Sequence, residues 1–448
     1  MNQSRGIDGL NEADKSKLIA DLKARAKAKS MKAAEAEPAP AAATAKAFDF
    51  TNLSAHKQLR MMRALGDMTG IADPFFKLHD GIPGGTIRTG SETHVNFGTY
   101  NYVGLNGDAR VMAAAKDAID RYGTSVSASR VVAGERPFHG RLEAALARFT
   151  GTEAALAFVS GHATNVSTIG CLMGPKDLIL ADCLAHNSIV EGARLSGATR
   201  AAFPHNDLEA LEHMLARSRD RHERVLIAVE GLYSMDGDCP DLARLVDLKT
   251  RFGAWLMVDE AHAAGVLGAS GRGIAEEQGV DPRAVEIWMG TLSKAFASAG
   301  GYIAGAQALI DVLKAGAPGF VFSVGLSPAQ GAAALQALEI IEAEPDRVAR
   351  LRANGRTFLA AAKANGLDTG TAIGASVVPV IVGDSSFAVA LSNRLSARGI
   401  SVLPIIFPAV PEKQARLRFF ITCEHTEQQL VTAANATAEE FAKLKRGT

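Results

Sequence analysis

Short apolar runs recur along this chain, each ending in a glycine-rich or polar turn. They fall at residues 154–159, 178–180, 225–229, 255–258 and 285–289. Runs of this length read as strands buried on both faces. Helical spacing marks residues 111–122 and 141–149, and residues 95–102 read as a strand entering a turn. Such alternation predicts an α/β fold with a mostly parallel central sheet covered by helices. Beyond about residue 335 the pattern changes. Residues 332–343 and 347–364 look helical, whereas 377–382, 402–403 and 417–421 look like strands. The expected organisation is a tail over 1–46, an N-terminal segment over 47–95, a large domain over 96–335 and a smaller C-terminal α/β domain over 336–448.

Composition adds few constraints. The 448 residues include 47% apolar and 21% charged positions, as in a globular protein, and 48 basic residues balance 48 acidic ones. That balance gives no electrostatic case for nucleic acid. Cys171, Cys183, Cys239 and Cys423 form no CxxC pair and no metal-ligand spacing, which fits a reducing cytoplasm. No apolar run is long enough for a membrane-spanning helix. The tail mixes Lys and Arg with Ala, Leu18, Ile19 and Leu22, then turns Ala/Pro-rich. It reads as a solvated, flexible tail, or as a basic amphipathic helix for an anionic membrane or an acidic carrier protein.

The chemistry gathers just past the strands. Lys294 follows Gly290-Thr291-Leu292-Ser293, at the carboxyl end of a strand, where open α/β sheets hold ligands. An amine in a partly dry cleft has a lowered pKa and forms a Schiff base with an aldehyde. A solvated surface lysine is the alternative, and the surrounding residues decide between them. The run 255–258 ends in Asp259-Glu260-Ala261-His262. A carboxylate at a buried strand end calls for a cation or a donor, and a pyridinium nitrogen is one. His262 can bond an oxygen of the same ring. Asp-Glu-Ala-His also occurs in nucleoside triphosphatases, but those need a GxxxxGK[ST] loop, which the chain lacks. Ser160-Gly161-His162 opens a helical stretch whose N–H groups suit a phosphate, or it simply turns the chain. His186 follows another strand end, placed to stack on a flat ring or to pack structurally. Ser234, after the run 225–229, can donate to a ring oxygen or serve its turn.

Taken in this order, these segments resemble the α-oxoamine synthases, pyridoxal-phosphate enzymes of fold type I. The resemblance runs from about residue 70 to 440. It is most specific at Gly98-Thr99-Tyr100-Asn101-Tyr102, at 230–238, 258–262 and 290–294, and at Arg416-Leu417-Arg418 with His425-Thr426. It implies an aminotransferase-like fold and a homodimer with sites at its interface. It also implies pyridoxal 5'-phosphate bound covalently by Lys294, with Asp259 on the ring nitrogen and His262 and Ser234 on the ring oxygen. By the same resemblance His186 stacks on the ring, Thr291, Gly161 and His162 hold the phosphate, and Ser323 reaches the partner's phosphate. Arg418 grips the amino-acid carboxylate and Asn101 contacts substrate.

The implied reaction joins a small amino acid to an acyl thioester, from coenzyme A or an acyl carrier protein, with loss of carbon dioxide. Residues 98–102 look like serine palmitoyltransferase, so serine with a long-chain acyl group is the expected pair, as in sphingolipid base synthesis. Residues 160–165 and 288–302 look like polyketide-associated synthase domains, which keeps glycine or alanine with a carrier-bound acyl group open. A non-catalytic partner subunit is a further alternative, which the presence of Lys294 and Asp259 argues against. His162 stands where the family usually has Tyr or Phe, Gly325 replaces a frequent serine, and Glu424 replaces the usual alanine. The expected setting is cytoplasmic, with peripheral contact at the inner membrane face for a fatty product.

Overall fold

The computed structural model describes residues 24, 49–69 and 72–446. The chain divides into two compact units, Met1–Asp73 and Pro74–Thr448. In the first, the Asp49 carboxylate accepts from the Thr51 N–H to start a short 3-10 turn, and helix α1 follows over Ser54–Thr69. The tail over residues 1–46, with its membrane and carrier-protein readings, lies outside the described residues apart from Ala24.

The second unit opens with the hairpin β1 (Thr86–Thr89) and β2 (Glu92–Asn96), then helices α2 (Ala109–Tyr122) and α3 (Pro137–Thr150). Strands and helices then alternate: β3 (Ala154–Phe158), α4 (Gly161–Leu172), β4 (Leu178–Asp182), α5 (Asn187–Ser196), β5 (Thr199–Phe203), α6 (Leu208–Ser218), β6 (Val225–Glu230), α7 (Leu242–Arg251) and β7 (Trp255–Asp259). The short helix α8 (Ile274–Gln278) leads to β8 (Ile287–Thr291) and β9 (Gly301–Gly305). Side chains set several helix starts: Ser160 Oγ accepts from the Ala163 N–H, Asp207 from Ala210 and Asp241 from Arg244.

The large sheet has seven strands in the order β3-β9-β8-β7-β6-β4-β5. From β8 to β5 all neighbours are parallel, and β9 runs against both β8 and β3. Helices cover both faces, so successive strand residues enter different cores. Ile227, Val229, Leu256, Val258 and Trp288 join one cluster, whereas Leu226, Ala228, Met257 and Met289 join the other. This is why the strands read as continuous apolar runs rather than alternating ones. Each fully buried aliphatic side chain here contributes roughly 2–3 kcal/mol.

Helices α9 (Gln307–Gly316), α10 (Pro318–Val321), α11 (Pro328–Ala343) and α12 (Asp346–Ala364) lead out of the large sheet. Next come β10 (Val377–Gly383), α13 (Ser385–Ala397), β11 (Ile400–Ser401), β12 (Leu403–Ile405), β13 (Ala415–Phe420) and α14 (Glu427–Arg446). A second sheet runs β10-β13-β12, all antiparallel, and β11 pairs parallel to β2 in a third. Residue 336, where the smaller domain was expected to begin, falls inside α11. The residues after β2 are stitched to β13 and the turn that follows it. Phe420 N–H donates to Phe97 O at 3.0 Å, Cys423 N–H to Tyr102 O at 2.8 Å, and the His425 ring stacks on Phe97 at 4.6 Å. That seam brings Tyr100, Tyr102 and Arg418 together.

Candidate active site

Strand register builds the site. Glu230 and Asp259, the last residues of β6 and β7, are direct partners, and Asp259 pairs with Met289 of β8. Lys294 stands just beyond β8 in a closed loop. Leu292 N–H donates to Gly300 O at 3.0 Å, Ser298 N–H to Leu292 O at 2.9 Å and Ala297 N–H to Lys294 O at 3.0 Å. Its Nζ lies 5.5 Å from the centre of the Tyr100 ring. Burial lowers the ammonium pKa to about 8, against the pull of Asp259 and Glu230, and Arg418 lowers it further. Lys294 is therefore not a solvated surface lysine; a large fraction of it is neutral near pH 8.

Asp259 is buried, and both its oxygens are held. Asn165 Nδ2 donates to Oδ2 at 2.8 Å and the Ala261 N–H to Oδ1 at 2.9 Å. The same Asn165 nitrogen donates to Ser188 Oγ at 2.9 Å, and Ser188 Oγ lies 2.7 Å from His186 Nδ1. His262 is buried, with Nδ1 2.7 Å from the Tyr102 hydroxyl, and its pKa lies well below the ordinary imidazole value because of burial and the nearby Lys294 and Arg418. It is a neutral base at neutral pH. Burial, reinforced by Asp259, pushes the Glu230 carboxyl up to about 8, so it carries a proton at neutral pH; its Oε2 lies 3.2 Å from the Ser234 nitrogen. Glu260, the middle of the Asp-Glu-Ala-His run, is structural: its carboxyl accepts from the Ile274 N–H at the start of α8.

Arg418 sits on β13 opposite Pro379 and Leu403. Its guanidinium packs 4.6 Å from the Phe420 ring centre and donates to Ser234 O at 3.0 Å, which ties it to the loop after β6. Its Nε is buried with no hydrogen-bond partner. Gly161 begins α4 directly against Thr291; a Cβ there would stand 2.9 Å from Thr291 Oγ1. Thr291 Oγ1 in turn lies 2.8 Å from Ser293 Oγ and donates to Gly300 O at 3.0 Å. His162, on the first turn of α4, is exposed, with its ring 6.5 Å from that of His186.

Two expected site residues make contacts of their own outside the lysine loop. The Asn101 amide serves its own turn, donating to Pro83 O at 3.2 Å and accepting from the Asn106 N–H at 3.0 Å, so its neighbour Tyr100 is what this segment presents to Lys294. Ser323 lies on the turn between α10 and α11, flanked by exposed Phe322 and Val324, away from its own lysine loop, as a residue expected to reach the partner's phosphate would. Asn165, Ser188, Tyr100, Tyr102 and Glu230 join the site without having been assigned from sequence. For Glu230 a signal existed: a carboxylate closing the apolar run Val225–Val229 mirrors Asp259 closing its own.

The model of the aminotransferase class I and II family matches residues 92–436. An 8-amino-7-oxononanoate synthase from Methylobacterium nodulans is 43% identical over 356 residues, 80% of this chain and 89% of that protein. Among solved structures, a lysine-to-alanine variant of serine palmitoyltransferase from S. paucimobilis with a bound PLP–myriocin aldimine superposes with a TM-score of 0.84 at 29% identity, over 89% of this chain and 99% of that one. An 8-amino-7-oxononanoate synthase from Francisella tularensis superposes at 0.68 and 26% identity, over 79% of this chain and 99% of that one. The family match and these likenesses, with a buried carboxylate ending β7 and a lysine just past β8 in a parallel sheet with one reversed strand, mark a pyridoxal-phosphate enzyme of fold type I. Within that class the chain belongs to the α-oxoamine synthase family.

The residues fit this cofactor. Asp259 is oriented by two donors yet keeps lone pairs for a pyridine N–H. Lys294 supplies the amine, and the N-terminus of the helix Gly161–Leu172, with Thr291 against it, suits a phosphate. When bound, pyridoxal phosphate supplies an electron sink for carbanion chemistry.

Proposed function

We propose that this α-oxoamine synthase joins serine to a long-chain acyl thioester, with loss of carbon dioxide, to give an α-amino ketone. The observation that carries the amino-acid half is Arg418. A carboxylate facing its partnerless buried Nε would receive charge-assisted hydrogen bonds, within electrostatic reach of Lys294. In this reading Arg418 fixes how the substrate α-carbon is presented. Lys294 takes its proton. The α-carbon then bonds to the acyl carbonyl carbon and the thiol departs. The β-keto acid loses carbon dioxide, and Lys294 returns a proton to the α-carbon. Asp259 would hold the ring nitrogen protonated, while His262 and Ser234 would bond the ring oxygen. His186 would cover the ring, and Gly161, His162 and Thr291 would hold the phosphate.

The fold likeness to serine palmitoyltransferase supports the long-chain reading, as does an exposed apolar rim. Val131 and Val132 lie near the turn bearing Phe322 and Val324, tied to it by the Gly325 N–H bonded to Ala128 O at 3.2 Å. A second reading follows from the relative at 43% identity. The product in its name carries a methyl on the amino carbon and a terminal carboxylate, which corresponds to alanine and a seven-carbon dicarboxylic acyl group. The thiol is that of coenzyme A or of a carrier protein. A homodimer in which Ser323 reaches the partner's phosphate, and a cytoplasmic setting with peripheral membrane contact, complete the proposal.

The test incubates the cofactor-loaded protein with serine, alanine or glycine and with palmitoyl or pimeloyl thioesters of both carriers, measuring carbon dioxide and free thiol. Serine with palmitoyl thioester is expected to release both. Release from alanine with pimeloyl thioester alone decides for the second reading, and silence with every pair overturns both.

A further inference from the structure

Asn165 and Ser188 lie outside the roles given above, yet both are almost fully buried, at 1% exposure, between Asp259 and His186. Donors and acceptors along this path are fixed by chemistry. An ionised Asp259 only accepts, so the nitrogen of the Asn165 amide must face it, at 2.8 Å. The second hydrogen of that nitrogen goes to Ser188 Oγ at 2.9 Å. Ser188 Oγ, having accepted, has its own proton to give, and His186 Nδ1 lies 2.7 Å away. A second donor points at the same atom: the Ser188 backbone N–H, at 3.2 Å, with His186 capping α5. A backbone N–H cannot accept. Nδ1 therefore holds a lone pair, and the imidazole proton sits on Nε2.

We propose that Asn165 and Ser188 are positioning residues that lock His186 as the neutral Nε2–H tautomer and couple it to the orientation of Asp259. One amide thus orients the carboxylate meant for the cofactor's ring nitrogen and the imidazole meant for the ring's face. The charges around His186 are Asp259 on β7, Lys294 after β8, Arg418 on β13 and His162 on α4. Burial lowers the His186 pKa; Asp259 alone of these opposes that, and the three cationic or basic groups add to it. With the hydroxyl donor at Nδ1 removed, the pull of Asp259 would be freer to charge the ring. The proposal rests on the cofactor assignment for its purpose, but not for its measurement.

The experiment is nitrogen NMR on full-length, cofactor-loaded protein carrying labelled histidine, with His186→Gln used only to assign the signal. In the native chain His186 is expected to show an unprotonated Nδ1 and a protonated Nε2, unchanged between about pH 6 and 8. In Asn165→Ala, and separately in Ser188→Ala, the Ser188 backbone N–H still faces Nδ1, so the neutral tautomer is expected to persist, but with the hydroxyl donor loosened or lost His186 is expected to titrate at least about one unit higher than in the native chain. Ser188→Thr, which keeps a hydroxyl, is expected to restore the native pattern. A protonated Nδ1 in the native chain overturns the proposal without any variant. So does a His186 titration that is identical in the native chain and in whichever alanine variant folds. Absence of condensation activity in the native chain, with the Nε2–H tautomer present, would count against the proposed function alone.

Discussion

His205 offers the most demanding test of how this site is held. It bridges two buried carboxylates: Nδ1 lies 3.0 Å from Asp182 Oδ1 and Nε2 lies 3.1 Å from Asp238 Oδ2. Asp182 ends β4, just before His186. Asp238 lies in the loop that carries Ser234 and also accepts from Thr371 Oγ1 at 2.8 Å. With an acceptor at each ring nitrogen, His205 is doubly protonated. Burial opposes the charge, but the hydrogen bonds and charges of Asp182 and Asp238 outweigh it and raise the pKa to about 10. Against an ordinary value of 6.5, that shift corresponds to roughly 5 kcal/mol. Because the folded-state pKa is raised, the contribution is complete below about pH 6.5 and is lost as pH rises toward about 10. At roughly 2 cal/mol/K per residue of unfolding entropy, a unit of this size melts about 1 °C lower for each kcal/mol lost. His205→Ala is therefore expected to lower the melting temperature at pH 7 by about 5 °C, through the two carboxylates it leaves uncompensated. The gap should narrow steadily toward pH 10, as the native chain loses the same charge. Calorimetry of both proteins at half-unit pH steps measures this. A gap that stays constant from pH 7 to 10 would refute the charged bridge.

Three substitutions probe the chemistry directly. Lys294→Ala should abolish the visible band of the bound cofactor and cut turnover by at least about a thousandfold. In the native apoprotein the rate of cofactor capture should rise through about pH 8 and then level, as the amine loses its proton; a flat profile would count against the lowered pKa. Gly161→Ala places a Cβ 2.9 Å from Thr291 Oγ1 and should weaken cofactor binding about tenfold by fluorescence titration, with the fold intact. Arg418→Lys keeps the charge but loses the planar fork, and should raise the amino-acid KM about thirtyfold while leaving cofactor affinity near native.

The large sheet was legible because its strands are buried on both faces, which leaves continuous apolar runs that spacing alone identifies. The strands 154–159, 225–229 and 255–258 read from sequence became β3, β6 and β7 nearly residue for residue. Two strands were not legible for opposite reasons. β5, Thr199–Phe203, lies at the sheet edge with most side chains outward, so it lacks the apolar signature. β9, Gly301–Gly305, is wholly buried but begins and ends in glycine, which reads as turn. Its glycines are required by close approach: a Cβ on Gly301 would meet Thr164 Oγ1 at 2.5 Å, and one on Gly305 would meet Glu286 O at 2.6 Å. β8 starts at Ile287 rather than Val285 because a 3-10 turn over Pro282–Ala284 precedes it, with Trp288 Nε1 donating back to Pro282 O at 2.8 Å.

Candidate residues at the end of a strand were easier to single out than those whose contacts are with other candidates. Lys294, Asp259 and His186 each follow an apolar run, and a polar group there must face a ligand or a partner. Asn165 and Ser188 sit inside helices α4 and α5, where nothing in the spacing separates them from ordinary helix positions. Their meaning depends on α4 and α5 packing so closely that the Asn165 amide spans from Ser188 to Asp259. Gly192 shows how tight that packing is: a Cβ there would stand 3.0 Å from Asn165 O. His205 was hidden likewise, since its two carboxylate partners come from β4 and from the loop after β6. In each case the missing information is which helix or loop lies beside which strand. A bulkier side chain at Gly192 should therefore disturb the path from Asp259 to His186 although it touches neither, because it would push α5 away from the helix that holds Asn165.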